Sequence, residues 1–141
     1  MRHIRESVSS AIMIDEGVQS MHDLTEVIRE EAADMLNIKL MKAGGIYRAL
    51  GLASLAESAN MPCQVGSMVE SAIATMAGAH LSMSRTIIET NEMVGPLMFT
   101  QDVAEVPFDG EQLLLTKAPG LGIEVDETYV SSITVQRACI E

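Results

Sequence analysis

Apolar and polar positions along this chain follow two periods in turn. "AIMID", Ala11 to Asp15, is an apolar run closed by an acid, the pattern of a short strand buried on both faces. Ser20 with Asp23 three positions on makes a helix-start signature, and Met21, Leu24, Val27 and Ile28 follow at helical spacing. The strand pattern then returns three times, twice with a helix behind it. "DMLNIKL", Asp34 to Leu40, reads as a second strand, and past Gly44-Gly45 a helix is predicted over about 46–60 with Ala49, Leu50, Ala53 and Ala56 on one face. "PCQVG", Pro62 to Gly66, is a third strand before a small-residue helix over about 69–83, and "TIIETNE", Thr86 to Glu92, is a fourth.

With Asp15, Lys39, Gly66 and Glu92 marking the strand ends, the intervals are 24, 27 and 26 residues. Short strands alternating with helices of that length predict an α/β fold with a parallel sheet and right-handed crossovers. Four such strands make a small open layer, or an arc of a (β/α)8 TIM-type barrel, whose full complement is eight units and roughly 250 residues. From Glu105 the pattern changes: Asp109-Gly110 and Pro119-Gly120 are turn signals around apolar runs, which predicts a β-rich tail. The expected division is residues 1–104 for the βα part and 105–141 for the tail.

Composition narrows the function. The chain has 141 residues, 48% of them hydrophobic, enough to bury the core of one ordinary domain. Nine Lys+Arg stand against 20 Asp+Glu, and the resulting charge of −11 repels phosphate backbones and anionic membranes, so neither nucleic acid nor a membrane is an expected partner. Two cysteines, Cys63 and Cys139, show no paired spacing, which suits a reducing compartment. Charges within the first twenty residues leave no signal-peptide core, and no uncharged stretch is long enough to span a bilayer; a soluble, cytoplasmic protein is expected. His3, His22 and His80 lack ligand spacing, and the eleven methionines read as core filler.

The chemistry gathers at the strand ends. Asn37 and Lys39 share one face of their strand. In parallel β/α architectures the site forms at the carboxyl ends of the strands, so Asp15, Lys39, Gly66-Ser67 and Glu92 are expected on one rim. Each taken singly has a structural reading: Lys39 as a salt-bridged lysine, Asp15 as a loop acid, Glu92 as a hydrogen-bond partner, Gly44-Gly45 as a plain turn. Together they suggest proton chemistry. A lysine desolvated at a barrel mouth has its charged form disfavoured and its pKa lowered toward that of a working base. A nearby carboxylate opposes that shift unless it ligates a cation, and lysine with a metal is a device for removing a proton beside a carboxylate and stabilising the enediolate.

"IMIDEGV", then "NIKLMKAGGIYRAL", "VGSMVESAIATMAGAHL", "NEMVGPLMF" and "PGLGIEVDE" together resemble the carboxyl-terminal part of the enolase superfamily, nearest its muconate-lactonizing (muconate cycloisomerase) subgroup. The resemblance covers nearly the whole chain and implies strands five to eight of the barrel, followed by a tail that returns to a capping domain. It implies Asp15 as the last of three metal-ligating carboxylates and Lys39 as the acid/base lysine on the sixth strand, with Gly44-Gly45 as the turn behind it. Lys42 falls beyond the strand, further from the chemistry. Asn37, Ser67 and Met68 would contact substrate, and Glu92 takes the place of a glutamate that muconate cycloisomerases carry at the eighth strand.

The implied activity is magnesium-dependent isomerisation of a small carboxylate: cycloisomerisation, epimerisation or racemisation of an amino-acid derivative, or the dehydration that forms a succinylbenzoate. Asn91-Glu92-Met93 stands where dipeptide epimerases carry Asp-x-Asp, which lowers that substrate class. No capping domain, no Lys-x-Lys pair and no second or third metal-binding acid precedes this stretch, so the chain by itself is expected to be inactive. A half-barrel serving only as an assembly module is the competing reading, and homo-oligomers through exposed barrel edges are expected in either case.

Overall fold

In the computed structural model, which describes residues 1–136 and 138, four short strands form one parallel sheet in sequence order. They are β1 (Met13–Ile14), β2 (Met35–Ile38), β3 (Cys63–Val65) and β4 (Ile88–Asn91). Leu36 pairs with Ile14 on one side and with Cys63 on the other, and Cys63 pairs with Ile88. Each strand is shorter at both ends than the segment expected from the sequence.

The crossovers are the predicted helices. Between β1 and β2 lies α2 (Met21–Arg29), begun by Ser20 and Asp23 in a reciprocal capping box. Between β2 and β3 lie α3 (Leu40–Ala43), a single turn that the apolar pattern does not mark, and α4 (Ile46–Ser58). Between β3 and β4 lies α5 (Ala72–Ser82). It starts later than the expected residue 69, because Val69 has φ of +59° and cannot enter a right-handed helix. A further helix, α1 (Arg2–Ser7), leads into β1 and is tied down by Arg5, whose Nε donates to Asp34 Oδ1 at 2.6 Å.

Sequential strand order with right-handed crossovers places α2, α4 and α5 on one side of the sheet. There α2 packs on α4, α4 on α5, and α5 on β3 and β4. Leu24, Leu36, Ile38, Cys63, Val65 and Ile88 form the core with Ala49, Leu52, Ala53 and Ala56. Leu52, not the expected Leu50, completes the buried face of α4; Leu50 is only partly buried. The other side of the sheet carries Asn37, Gln64 and Thr90 in register, and Thr90 Oγ1 donates to Gln64 Oε1 at 3.1 Å. This is a parallel arc with one helical layer and a polar inner face, a partial α/β barrel.

The tail is less β-rich than its turn signals predict. The hairpin β5 (Phe108–Asp109) and β6 (Gln112–Leu113) turns at Gly110, a single bridge joins Ala104 to Val125, and α6 (Glu127–Ile133) follows. Cys63 is buried, with its thiol pushed up to about 12 by burial, while Cys139 lies outside the described residues. Among the described residues no helix is long and apolar enough to cross a membrane.

Candidate functional site

Lys39 stands one residue past β2 rather than inside it. Its backbone is still extended (φ −121°, ψ 127°), so the face alternation holds and Lys39 remains on the side of Asn37. Leu40 then begins α3, which ends after one turn because Gly44 takes φ of +81° and Gly45 +109°, conformations that only glycine adopts freely. In that turn Lys42 lies three residues after Lys39 and on the same side.

Both lysines converge on Asp15, the residue after β1. Lys39 Nζ is 2.9 Å from Asp15 Oδ2 and 2.8 Å from Glu16 Oε1. Lys42 Nζ is 2.5 Å from Asp15 Oδ1 and also donates to the Asp15 carbonyl oxygen at 2.6 Å. The lysine side chains are only 10% and 6% exposed, whereas Glu16 is 64% exposed, so the two ammoniums lie beneath a carboxylate that reaches water. Asn37 adds a third donor, its Nδ2 standing 3.1 Å from Asp15 Oδ2.

The charges follow. Burial pushes the Asp15 carboxyl upward, but hydrogen bonds from Lys42, Lys39 and Asn37 outweigh it and hold the group below its ordinary range. Lys39 is raised, first by its hydrogen bond to Glu16 and against burial, then by Asp15. The expected lowering is therefore reversed in this state: the desolvation is present, but two carboxylates at hydrogen-bond distance overcome it. Lys39 stands as an ammonium, a proton donor.

Asn37 is buried beneath Gly66, where a Cβ would lie 2.3 Å from Asn37 Oδ1. Its Nδ2 serves Asp15, and its Oδ1 is buried without a hydrogen-bond partner. Ser67 and Met68 follow β3 on the same rim. The Ser67 hydroxyl donates to Glu70 Oε2 at 3.0 Å and accepts from Val69 N–H at 2.9 Å, and Met68 is exposed. Glu92 follows β4, two strands beyond Lys39, with its backbone N–H on Val65 O and its side chain exposed. The fold thus brings Asp15, Asn37 and Lys39 into contact and sets Ser67, Met68 and Glu92 along the same edge.

Glu16, not singled out by sequence, and Lys42, expected to lie further from the chemistry, complete the cluster: Lys42 comes as close to Asp15 as Lys39 does because the one-turn α3 swings it back over the end of β1. The adjacent acids in "IDE" and the three-residue spacing of the lysines before Gly44 were the available signals. Asp15 is a chemically suitable ligand for magnesium, which favours carboxylate oxygens. However, both its oxygens already meet ammoniums, and among the described residues no three His, Cys, Asp or Glu side chains are placed to hold a metal. The described residues of this chain do not complete an ion site.

Comparison with known proteins agrees with the fold. A family model described as "Enolase C-terminal domain-like" matches residues 1–129. The chain is 48% identical over 135 residues to the N-succinyl-L-Arg/Lys racemase of Bacillus cereus, covering 96% of this chain and 37% of the racemase. It is 38% identical over 133 residues to the chloromuconate cycloisomerase of Cupriavidus pinatubonensis, covering 92% of this chain and 36% of that enzyme. The crystal structure of the N-succinyl Arg/Lys racemase from Bacillus cereus superposes with a TM-score of 0.92 at 47% identity, over 96% of this chain and 37% of that one. The chain therefore spans little more than a third of the length of these relatives, which are racemases and cycloisomerases.

Proposed function

This chain belongs to the enolase C-terminal domain-like family, and from that premise we propose that the complete protein is an isomerase in which Lys39 moves a proton at the carbon next to a substrate carboxylate. The observation that carries the reading is the Lys39 ammonium, nearly buried at the carboxyl end of β2 and held by Asp15 and Glu16 at 2.9 and 2.8 Å. A substrate carboxyl group nearby would compete with Glu16 for that ammonium. With Glu16 displaced, Lys39 would face the substrate's α-carbon, where the neutral amine takes a proton and the ammonium returns one. When the carbon–hydrogen bond breaks, its electron pair passes into the carboxyl group as an enediolate. Magnesium is the proposed cofactor of the complete protein; Asp15 would be one ligand among others that this chain does not bring together, and the ion would supply positive charge beside the substrate carboxylate.

For the substrate we favour an N-succinyl amino acid, because the chain is 48% identical to a relative named for that racemisation. Cycloisomerisation is the second reading, supported by Glu92 at the end of β4 and by 38% identity to a chloromuconate cycloisomerase. The complete protein, supplied with magnesium and an N-succinyl amino acid in deuterated water, should incorporate deuterium at the α-carbon. Lys39→Ala should abolish that incorporation while the fold is retained. Unimpaired exchange in Lys39→Ala would remove the lysine from the mechanism, and turnover of muconates alone would select the second reading.

A further inference from the structure

The segment between β3 and α5 adopts an unfavourable conformation. Val69 has φ of +59°, a region costly for a β-branched residue. Such strain persists only where the surroundings over-determine it, and here the surroundings converge on Glu70. Its Oε2 accepts from Met68 N–H at 2.5 Å and from the Ser67 hydroxyl at 3.0 Å. The Ser67 oxygen in turn accepts from Val69 N–H at 2.9 Å. One carboxylate thus fixes the two residues before the strained position directly, and the strained position itself through Ser67.

Glu70 is also tied to the next strand's rim. A Cβ on Gly95 would lie 2.2 Å from the Glu70 carbonyl oxygen, so the turn after Glu92 packs directly on the Glu70 backbone. The same carbonyl faces Thr75 Oγ1, which is buried on the first turn of α5 at 3.4 Å. Glu70 therefore sits where the two rim segments carrying Ser67-Met68 and Glu92 meet.

We infer that Glu70 is a positioning residue: its carboxylate holds Ser67 to Val69 in the strained form that sets Met68 on the rim of the site. As a statement about substrate this rests on the isomerase reading, but the conformational part stands without it. A carboxylate with two donors needs no contact with the reacting atoms to act in this way. Because Ser67 already donates to Glu70 and accepts from Val69, its hydroxyl serves the loop before it serves a ligand.

The test joins a conformational and a kinetic readout. In the 141-residue chain, Glu70→Ala should speed exchange of the Met68 and Val69 amide hydrogens by about tenfold or more, while the paired β3 amides stay protected. Glu70→Gln keeps an acceptor oxygen and should restore most of the protection. Val69→Gly removes the strain, so stability lost in Glu70→Ala should shrink when both changes are combined. Unchanged protection in Glu70→Ala, or strictly additive costs in the double variant, would overturn the inference even if Glu70→Ala alone is poorly folded. In the complete protein, Glu70→Ala should raise KM about tenfold and leave kcat within about twofold, with Glu70→Gln near the parent. Absence of turnover in the parent would count against the isomerase reading alone, since the amide exchange decides the role of Glu70 separately. A loss confined to kcat would overturn the positioning role.

Discussion

Lys42 Nζ bonds both the side chain and the main chain of Asp15, at 2.5 Å to Oδ1 and 2.6 Å to the carbonyl oxygen. One ammonium thereby joins the end of β1 to the turn beyond β2 and fixes which carboxylate oxygen faces Lys39.

Removal of that clamp should be measurable as stability. Lys42→Met retains the aliphatic stem but leaves Asp15 to Lys39 and Asn37, and should cost about 1–2 kcal/mol in chemical denaturation. The figure is modest because the Asp15 side chain is 37% exposed and water screens it. Lys42→Arg should recover only part, since a planar fork does not fit two acceptors arranged for a point charge. A Lys42→Met midpoint equal to the parent's would show that the contact carries no net energy.

Gly66→Ala tests the wall behind Asn37. The new methyl would lie 2.3 Å from Asn37 Oδ1 and 2.8 Å from its Cγ, so the amide must move. Overpacking of this kind costs about 1–3 kcal/mol, and here it should also break the Asn37–Asp15 hydrogen bond. The Asn37 side-chain amide signals in an NMR spectrum report that bond directly, and an unshifted pair would contradict the placement.

The pH dependence follows from the shifted groups, Asp15, Asp34 and Lys39 among them. Asp15 and Asp34 are both depressed, Asp34 by the Ile12 N–H and by Arg5, so their contribution is complete above the ordinary aspartate value of 3.8 and is lost as pH falls below it. Lys39 is raised above 10.5, so its contribution is complete below that value and is lost as pH climbs past it. Thermal unfolding midpoints should hold between about pH 5 and 9, fall below that as the aspartates protonate, and fall above it, first as the Cys63 thiol that burial keeps neutral ionises in the unfolded chain and then as Lys39 loses its proton. A midpoint that holds steady down to pH 2 would refute the carboxylate pairings.

Self-association is expected of the isolated chain. Within the described residues β1 pairs only with β2 and β4 only with β3, which leaves an unpaired edge on each, and Glu89, Thr90 and Asn91 of β4 are exposed. Open edges of parallel strands recruit other chains. Sedimentation should therefore find dimers or larger species, and a monomer at all concentrations tested would show that the edges are protected.

Periodicity made the arc legible because each strand and helix repeats a pattern that is local in sequence. The strand ends were overextended for the same reason: "NIKL" is apolar enough to read as strand, yet Lys39 and Leu40 leave the ladder to begin α3. Asp15 and Lys39 could be placed on one rim in advance because each closes a strand of a parallel sheet. Glu16 could not, because its reach to Lys39 depends on a side-chain rotamer rather than on a period. Val69 lay inside a stretch of good helical pattern, and only the Glu70 hydrogen bonds, set by three-dimensional contact, show why the helix starts at Ala72.

Strand order that equals chain order has a bearing on how this arc forms. Every strand's partners are the preceding and following βα units, so no pairing has to wait for a distant segment. Loop closure between neighbours spans one crossover each time, and the entropic cost of bringing ends together grows only slowly with such spans. A chain emerging from the ribosome could therefore add β2 to β1, then β3 to β2, burying Leu36 and Ile38 as soon as Cys63 to Val65 arrived. Assembly would be vectorial, each unit templated by its predecessor, with the last strand edge always the growing end.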